Sequence, residues 1–204
     1  MHIAEGVLTA PTLIATASFT AIGLAIGLRR LTPQTLPTAA LFAAVFFLVG
    51  TIHIPIGVGS VHLILNGLIG LLLGWLAFPV IFVALALQAL LFSFGGFTAI
   101  GANTLLMALP AMVAGLILRP FLQGHTASQR RLLTVGALAA TIGIFGATLL
   151  AAIMLWSTGG EALLGLVTLL VAAQIPVWII DTIVTALAVG MLGRARPTVF
   201  STNA

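Results

Sequence analysis

Residues 1–6, Met1-His2-Ile3-Ala4-Glu5-Gly6, stand directly before the first apolar segment of a chain that otherwise has the composition of a membrane protein. They hold the first of four histidines and one of three acidic residues. No basic residue precedes the apolar segment, whereas a cleavable signal peptide carries its positive charge there, so we expect this hexapeptide to be retained. We interpret the remaining chain as a helical bundle that holds the hexapeptide in a dry pocket.

Composition excludes several classes of protein. Of the 204 residues, 61% are hydrophobic and 5% charged, which excludes an ordinary soluble domain. Repeated apolar runs predict a single all-α polytopic domain over residues 1–204. All seven basic residues are arginine, and without lysine there is no P-loop. The absence of cysteine excludes disulfides and thiolate metal sites, and the few loop arginines indicate membrane orientation rather than nucleic-acid binding.

The apolar runs predict about seven transmembrane helices. Their expected bounds are 8–28, 38–49, 61–74, 77–92, 103–118, 132–156 and 161–193, with a kink at Pro176 in the last. Seven crossings with the N-terminus outside and the C-terminus cytoplasmic place every arginine on the cytoplasmic side. The same arrangement places Glu5 and Glu161 outside.

The second and third spans are short, with 12 and 14 residues against the roughly 20 that a full crossing needs. The Gly- and Pro-rich segment 50–60 between them must then dip toward the bilayer. Irregular backbone at that depth is tolerated only where protein or a water-filled cavity covers it, and unwound segments of this kind occur at transporter sites. We expect residues 50–60 to pack into an external-facing cavity beside the hexapeptide.

Met1 and His2 can form a chelate. The α-amine of Met1 and the backbone nitrogen of His2 close a five-membered ring on a metal ion, and that backbone nitrogen closes a six-membered ring with Nδ1 of His2. Three nitrogens in a plane plus one further donor suit Ni(II) or Cu(II). Because the amide proton must leave and the amine must be neutral, affinity should fall at acid pH. The alternative is that Met-His is simply how the chain begins.

Other polar residues have two interpretations each. His62 could be the fourth nitrogen donor, or a helix-end histidine bonded to loop carbonyls with Ser60 as the N-cap. His53 could orient a ligand or staple its loop. Glu5 could bond His2 or the loop, draw cations from outside, or cap the first helix. His125 is expected to be solvated.

Asp181 lies well inside the last predicted span. An ionisable group there costs about 2.5–3.5 kcal/mol on insertion scales, so we expect a polar partner, with Gln88, Asn103 and Gln174 as candidates. A structural bond between helices and a proton or ion relay are both open interpretations.

The hexapeptide, with Gly59-Ser60-Val61-His62-Leu63 and the 90–103 stretch, resembles the CbiM/NikM family. These proteins are the substrate-binding (S) components of energy-coupling-factor transporters for cobalt and nickel. The resemblance covers essentially the whole chain, including Gln174-Ile175-Pro176 through Arg196-Pro197. It implies seven helices with the N-terminal segment inserted into the bundle. It also implies metal ligands at Met1, His2 and His62. From their positions in the chain, we expect Glu5, His53 and Ser60 to lie around these ligands.

Two departures from the family pattern concern the last span, where Asp181 replaces a frequent Glu and Gln174 a frequent His. The implied function is capture of extracytoplasmic Ni²⁺ or Co²⁺ as a transported substrate, with no permanent cofactor and no enzymatic activity. In the family this function serves cobalamin biosynthesis, among other uses of these metals.

The implied partners are a transmembrane coupling (T) component, cytoplasmic ABC-type ATPases and, in some members, a small accessory subunit. The implied location is the inner (plasma) membrane, as a multi-pass protein. The chelate geometry favours nickel. The alternatives are a passive divalent-metal channel and an intramembrane metalloenzyme using His2, His53 and His62 with Glu5, although the chain lacks an H-E-x-x-H motif.

Overall fold

The structure is a computed structural model that describes residues 2–56, 59–123 and 128–200, of which 53–56, 59–61 and 197–198 are described by their backbone alone. Within these ranges lie seven α-helices: α1 (Ala10–Arg29), α2 (Leu36–Thr51), α3 (Asn66–Leu73), α4 (Ala77–Phe92), α5 (Ile100–Leu118), α6 (Gln129–Gly159) and α7 (Leu164–Ala195). Three short strands accompany them: β1 (His2–Ile3), β2 (His53–Ile56) and β3 (Gly59–His62). The protein is therefore mostly helical, as predicted, but a small sheet corrects the all-α assignment.

The helices are apolar enough for a membrane protein. Four helical runs could cross a bilayer by length and composition, and the shorter helix α2 is also apolar. These four are Ala10–Arg29, Asn66–Phe92, Ile100–Leu122 and Gln129–Ala195. The last run contains α6 and α7, which turn at Gly160 (φ 53°) and pack along each other. Since α6 and α7 have 31 and 32 residues, each exceeds the roughly 20 needed for one crossing.

The predicted third span differs most from the structure. Residues 59–62 form β3 instead of the start of a helix, and α3 begins only at Asn66 and has eight residues. At about 1.5 Å per residue, α3 is about 12 Å long, well short of a bilayer. All eight of its residues are buried in protein. Gly74, with φ 55°, separates α3 from a 3₁₀ turn that leads into α4.

α5 lies at the centre of the bundle and packs against α1, α3, α4 and α6. Its approach to α3 is close because glycines face each other across the contact. A Cβ on Gly70 would collide with the backbone of Ala111, and one on Gly115 with the backbone of Gly70. Without side chains at these two positions, the short buried helix α3 fits directly against α5.

The described arginines gather at one end of the bundle, which we call the arginine end. The guanidinium of Arg30, after α1, lies 5.9 Å from the ring centroid of Trp75, and the 3₁₀ turn that holds Trp75 packs against α5. Arg119, after α5, donates from Nε to the carbonyl of Phe200 at 3.3 Å. The start of α6 meets the end of α7, where a Cβ on Gly193 would collide with Leu132. The bundle therefore has one strongly basic end.

Candidate metal centre

The sheet joins the hexapeptide to the 50–60 region. β3 is the central strand and pairs antiparallel with both neighbours. In this register His2 stands opposite Ser60, and His53 stands opposite His62. Gly and Pro disfavour a helix in this region, and the extended backbone gains its hydrogen bonds from strand pairing. The predicted contact between the hexapeptide and residues 50–60 is thus made by backbone pairing.

His2 and His62 form the core of the site. Their ring centroids lie 4.7 Å apart with 37° between the ring planes, and each residue is 3% exposed. The ring of Phe46 stands edge-on to His62 at 6.2 Å, and the ring of Phe94 lies 6.3 Å from His2. Two imidazoles therefore meet in a dry, aromatic-lined place.

Gln88 determines the tautomer of His2. The side-chain amide of Gln88 donates from Nε2 to the carbonyl of Phe47 at 3.0 Å, so its Oε1 faces Nε2 of His2 at 2.9 Å. An amide oxygen only accepts, so Nε2 of His2 carries a proton. In the neutral ring, Nδ1 then holds the lone pair. Nδ1 is the nitrogen that a six-membered chelate ring with the His2 backbone requires.

Leu63 determines the tautomer of His62 in the opposite sense. Nδ1 of His62 lies 2.7 Å from the carbonyl oxygen of Leu63, and that oxygen can only accept, so Nδ1 donates. The lone pair of neutral His62 is then on Nε2. A metal-ligating histidine commonly donates its second ring N–H to a carbonyl or an amide oxygen in this manner. Both rings thus have one nitrogen committed to the protein and one suited to a metal.

Asn103 holds the backbone next to His2. Its Oδ1 accepts from the backbone N–H of Ile3 at 2.8 Å, and its Nδ2 donates to the carbonyl of Ile3 at 3.0 Å. Gly95 packs against the side chains of Asn103 and His2 and has a φ of +72°. A Cβ at this position would lie 2.8 Å from Nδ2 of Asn103 and 3.3 Å from Cδ2 of His2. The amide of Asn103 therefore substitutes for a neighbouring strand along the hexapeptide.

Glu5 bonds the loop rather than His2. Its carboxylate accepts from the backbone N–H of Thr98 at 2.8 Å, and this bond lowers the pKa of the Glu5 carboxyl. It does not cap the first helix, since α1 has Thr9 at its N-cap and no acidic residue in its first turn. Glu5 therefore ties the hexapeptide to the loop that precedes α5.

Several of the predicted site residues, or their side chains, lie outside the part of the chain that the structure describes. Met1 and His125 lie outside the described residues, and the side chains of His53 and Ser60 lie outside them too, so the roles predicted for these four stay predictions. One alternative is wrong: Ser60 does not cap the third helix, because Ser60 lies in β3 and Leu65 stands at the N-cap of α3. In the described ranges, no three His, Cys, Asp or Glu side chains group as metal ligands.

Gln88 and Asn103 are the site residues that sequence reasoning assigned to another partner. Both were candidate partners of Asp181, whereas the structure bonds them to His2 and Ile3. Asp181 instead accepts from the backbone N–H groups of Ile64 and Leu65. The sequence correctly indicated that these side chains make buried hydrogen bonds, since polar side chains inside apolar spans need such bonds. It did not predict which groups they bond, because each partner lies in a segment that is distant in the sequence.

Comparison with known proteins places the chain among metal transporters. The model of the family described as "CbiM: Cobalt uptake substrate-specific transmembrane region" matches residues 2–199. A Haemophilus influenzae protein named "Putative metal transport protein" is 49% identical over 201 residues, which cover 98% of this chain and 97% of that protein.

Longer relatives match as well. The Rhodobacter capsulatus "Fused nickel transport protein NikMN" is 39% identical over 160 residues, covering 75% of this chain and 46% of the relative. The Geobacter sulfurreducens "Cobalt transport protein CbiM" is 30% identical over 217 residues, covering 97% and 60%. A crystal structure of a truncated transition metal transporter superposes with a TM-score of 0.67 at 26% identity, covering 95% of this chain and 97% of that one.

Proposed function

Because the chain belongs to the CbiM family of cobalt uptake transmembrane regions, we propose that it captures extracytoplasmic Ni²⁺ or Co²⁺ at His2 and His62. The observation that carries the proposal is the ring pair, buried and 4.7 Å apart, with opposite tautomers set by hydrogen bonds. These tautomers direct Nδ1 of His2 and Nε2 of His62 to a shared ion. The relatives with which the chain shares its sequence are metal transport proteins rather than enzymes.

The proposed ligand set has four nitrogens. The α-amine of Met1, the backbone nitrogen of His2 and its Nδ1 form two fused chelate rings, and Nε2 of His62 completes the square. Loss of the amide proton lowers the net charge that is buried with the ion, which matters where burial of charge is costly.

The surroundings of the ligands support the same proposal. The Gln88 amide holds the ring of His2, and the Leu63 carbonyl holds the ring of His62. Groups in such positions typically contribute a factor of about 10–100 in metal affinity. His53 and Ser60, which lie in the paired strands, belong to the proposed surroundings by their register alone.

In the membrane, the proposed orientation has the histidine site outside and the arginine end in the cytoplasm. The gathering of the described arginines at one end supports it, since cytoplasmic loops carry an excess of basic residues. Seven crossings of the inner (plasma) membrane follow if α3 and the strand before it count as one crossing. A transmembrane coupling component and cytoplasmic ATPases would then drive release, with a small accessory subunit in some members, because this lysine-free chain has no P-loop.

Nickel is the proposed preferred ion, because a square set of nitrogens suits Ni(II). The matched relatives include one named for nickel and one named for cobalt, so sequence similarity alone does not choose. Isothermal titration of the purified protein with each ion decides between them. Cobalt binding that is tenfold tighter than nickel binding would reverse the assignment.

The ligand set is tested by titrating three altered proteins with Ni²⁺. His62→Ala should abolish tight binding while the protein still folds, and acetylation of the Met1 α-amine should be equally damaging because an acetylated nitrogen no longer offers the metal an amine lone pair. His125→Ala is the matched control, as a histidine from the arginine-rich 119–131 segment, and should bind as the wild type does. Retained affinity in the acetylated protein would remove the amine from the ligand set.

A further inference from the structure

Asp181 places a carboxylate inside the bundle, on α7, with 0% of the residue exposed. Its Oδ2 accepts from the backbone N–H groups of Leu65 at 3.0 Å and of Ile64 at 3.4 Å. Its Oδ1 accepts from the hydroxyl of Thr185, one turn further along α7, at 3.1 Å. The carboxylate therefore connects the last helix to the chain segment that follows His62.

That segment is a turn in which strand β3 becomes helix α3. Leu65 has φ 52°, a left-handed conformation that a leucine rarely adopts. The N–H groups at the start of a helix also lack partners within the helix. Asp181 supplies an acceptor for two of the N–H groups in this turn. The residue after Leu65, Asn66, is held in place by its own side chain, whose amide donates to the carbonyls of Met107 and Gly143.

The same turn orients the ring of His62. Nδ1 of His62 donates to the carbonyl of Leu63 at 2.7 Å, so the ring follows the position of that carbonyl. The carbonyl of Leu63 and the N–H of Ile64 belong to the same peptide group, and this N–H donates to the carboxylate of Asp181. One peptide unit is thus bonded to the proposed metal ligand on one side and to α7 on the other.

We propose that Asp181 is a positioning residue for the metal site: its carboxylate holds the turn from Leu63 to Leu65 so that Nε2 of His62 faces His2. The proposal rests on the metal-capture function proposed above. It assigns Asp181 no contact with the ion, and it links the site to α7, the helix that ends at the arginine end with Arg194.

Two substitutions of Asp181 distinguish the effect of its hydrogen bonds to the turn from the effect of its negative charge. Asp181→Ala leaves the turn without its acceptor and should weaken Ni²⁺ binding about 10–100-fold, as loss of a supporting group does at other metal sites. Asp181→Asn removes the charge but can turn its oxygen toward the backbone N–H groups and its NH₂ toward Thr185. It should therefore bind within a few-fold of the wild type. Trp178→Phe is the control, because it removes a bond from the same helix to Thr141 of α6 instead of to the turn.

Amide hydrogen exchange of residues 62–66 gives a readout that does not depend on metal. Exchange there should rise in Asp181→Ala and stay near the wild-type value in Asp181→Asn and Trp178→Phe. If Asp181→Ala does not fold, Thr185→Val removes one bond to the carboxylate and should produce a smaller change of the same kind in exchange and affinity.

The outcomes are distinguishable from failure of the metal-capture proposal. A wild type that does not bind Ni²⁺ or Co²⁺ contradicts metal capture itself. Wild-type affinity in Asp181→Ala, with binding lost in His62→Ala, overturns the positioning role alone. Equal loss in Asp181→Asn and Asp181→Ala also overturns it, since charge and not hydrogen-bonded position would then be responsible.

Discussion

The imidazole rings of His2 and His62 lie with their centroids 4.7 Å apart, and their hydrogen bonds place the lone pair on Nδ1 in one ring and on Nε2 in the other. Backbone pairing of β1 with β3 brings the rings together, and the Gln88 side chain of α4 orients one ring while the Leu63 backbone carbonyl orients the other. The site is therefore assembled by a small sheet within a helical protein. Its support comes from amides and carbonyls, so substitutions at those groups test it without removing a ligand.

Gln88→Leu should lower Ni²⁺ affinity about 10–100-fold, because it removes the acceptor of the His2 Nε2–H and leaves the tautomer undetermined. Gln88→Glu is the informative companion. Its carboxylate still accepts from His2 but cannot donate to the Phe47 carbonyl, so the loss should be smaller. Titration calorimetry of both variants checks this order, and equal affinities in the two would contradict the role of Gln88 in setting the tautomer.

Asn103→Leu should detach the hexapeptide from α5, since both hydrogen bonds to Ile3 are lost. Leaving buried backbone groups of Ile3 unpaired costs about 1–3 kcal/mol each. The free energy of unfolding should fall accordingly, and amide exchange at residues 2–4 should rise. Asn103→Asp keeps the acceptor and loses the donor, so an intermediate effect is expected. Unchanged exchange in Asn103→Leu would show that strand pairing alone holds the segment.

Gly95→Ala and Gly6→Ala form a matched pair, because both glycines have a positive φ, +72° and +79°. Each alanine should cost about 1–2 kcal/mol of stability for the left-handed backbone. Only the Cβ at Gly95 meets neighbours, at 2.8 Å from Asn103 Nδ2 and 3.3 Å from the His2 ring, whereas Gly6 has none within 4 Å. Metal affinity should therefore fall in Gly95→Ala alone, and a similar fall in Gly6→Ala would point to backbone strain instead of contact.

The hydrogen bond of Glu5 should make the stability of the folded protein depend on pH in the acid range. Its hydrogen bond from Thr98 lowers the pKa of the carboxyl below the ordinary value of 4.5. A carboxyl with a lowered folded-state pKa stabilises the fold above its unfolded pKa, and this contribution is lost as the pH falls through the folded value. Thermal unfolding of the wild type should therefore lose a component below about pH 4.5 that Glu5→Gln lacks. Identical acid profiles for the two proteins would contradict the Glu5–Thr98 interaction.

The isolated protein should bind metal without conducting it. His2 and His62, the proposed ligands, are each 3% exposed, so the described conformation buries the proposed site. In vesicles loaded with a nickel-sensitive dye, the protein alone should give no flux, and an added ionophore supplies the positive control. Sustained flux without partner subunits would favour the passive-channel alternative.

Much of the fold follows from local sequence. Apolar runs predicted the helices, and the span at Ala77–Phe92 agrees at both ends. Residues 53–56 and 59–60 were correctly excluded from regular helix, whereas Gly50 and Thr51 are the last residues of α2. The strands were not predicted, because a Gly- and Pro-rich segment becomes a strand only when a partner offers hydrogen bonds. The predicted start of the third helix at Val61 was wrong for the same reason: residues 61–74 are mostly apolar, yet Val61 and His62 pair in β3.

The sequence by itself determined the membrane class, the collection of arginines into a few loops and the chelating character of Met1 and His2, since these depend on composition and on neighbouring atoms. Only the tertiary structure decided that Gln88 serves His2, Asn103 serves Ile3 and Asp181 serves the turn after His62. In helices that are apolar on nearly every face, no periodic pattern marks which side meets which neighbour. The partner of a buried polar group is then chosen by how distant segments pack, because each such group must find a hydrogen bond where water is absent.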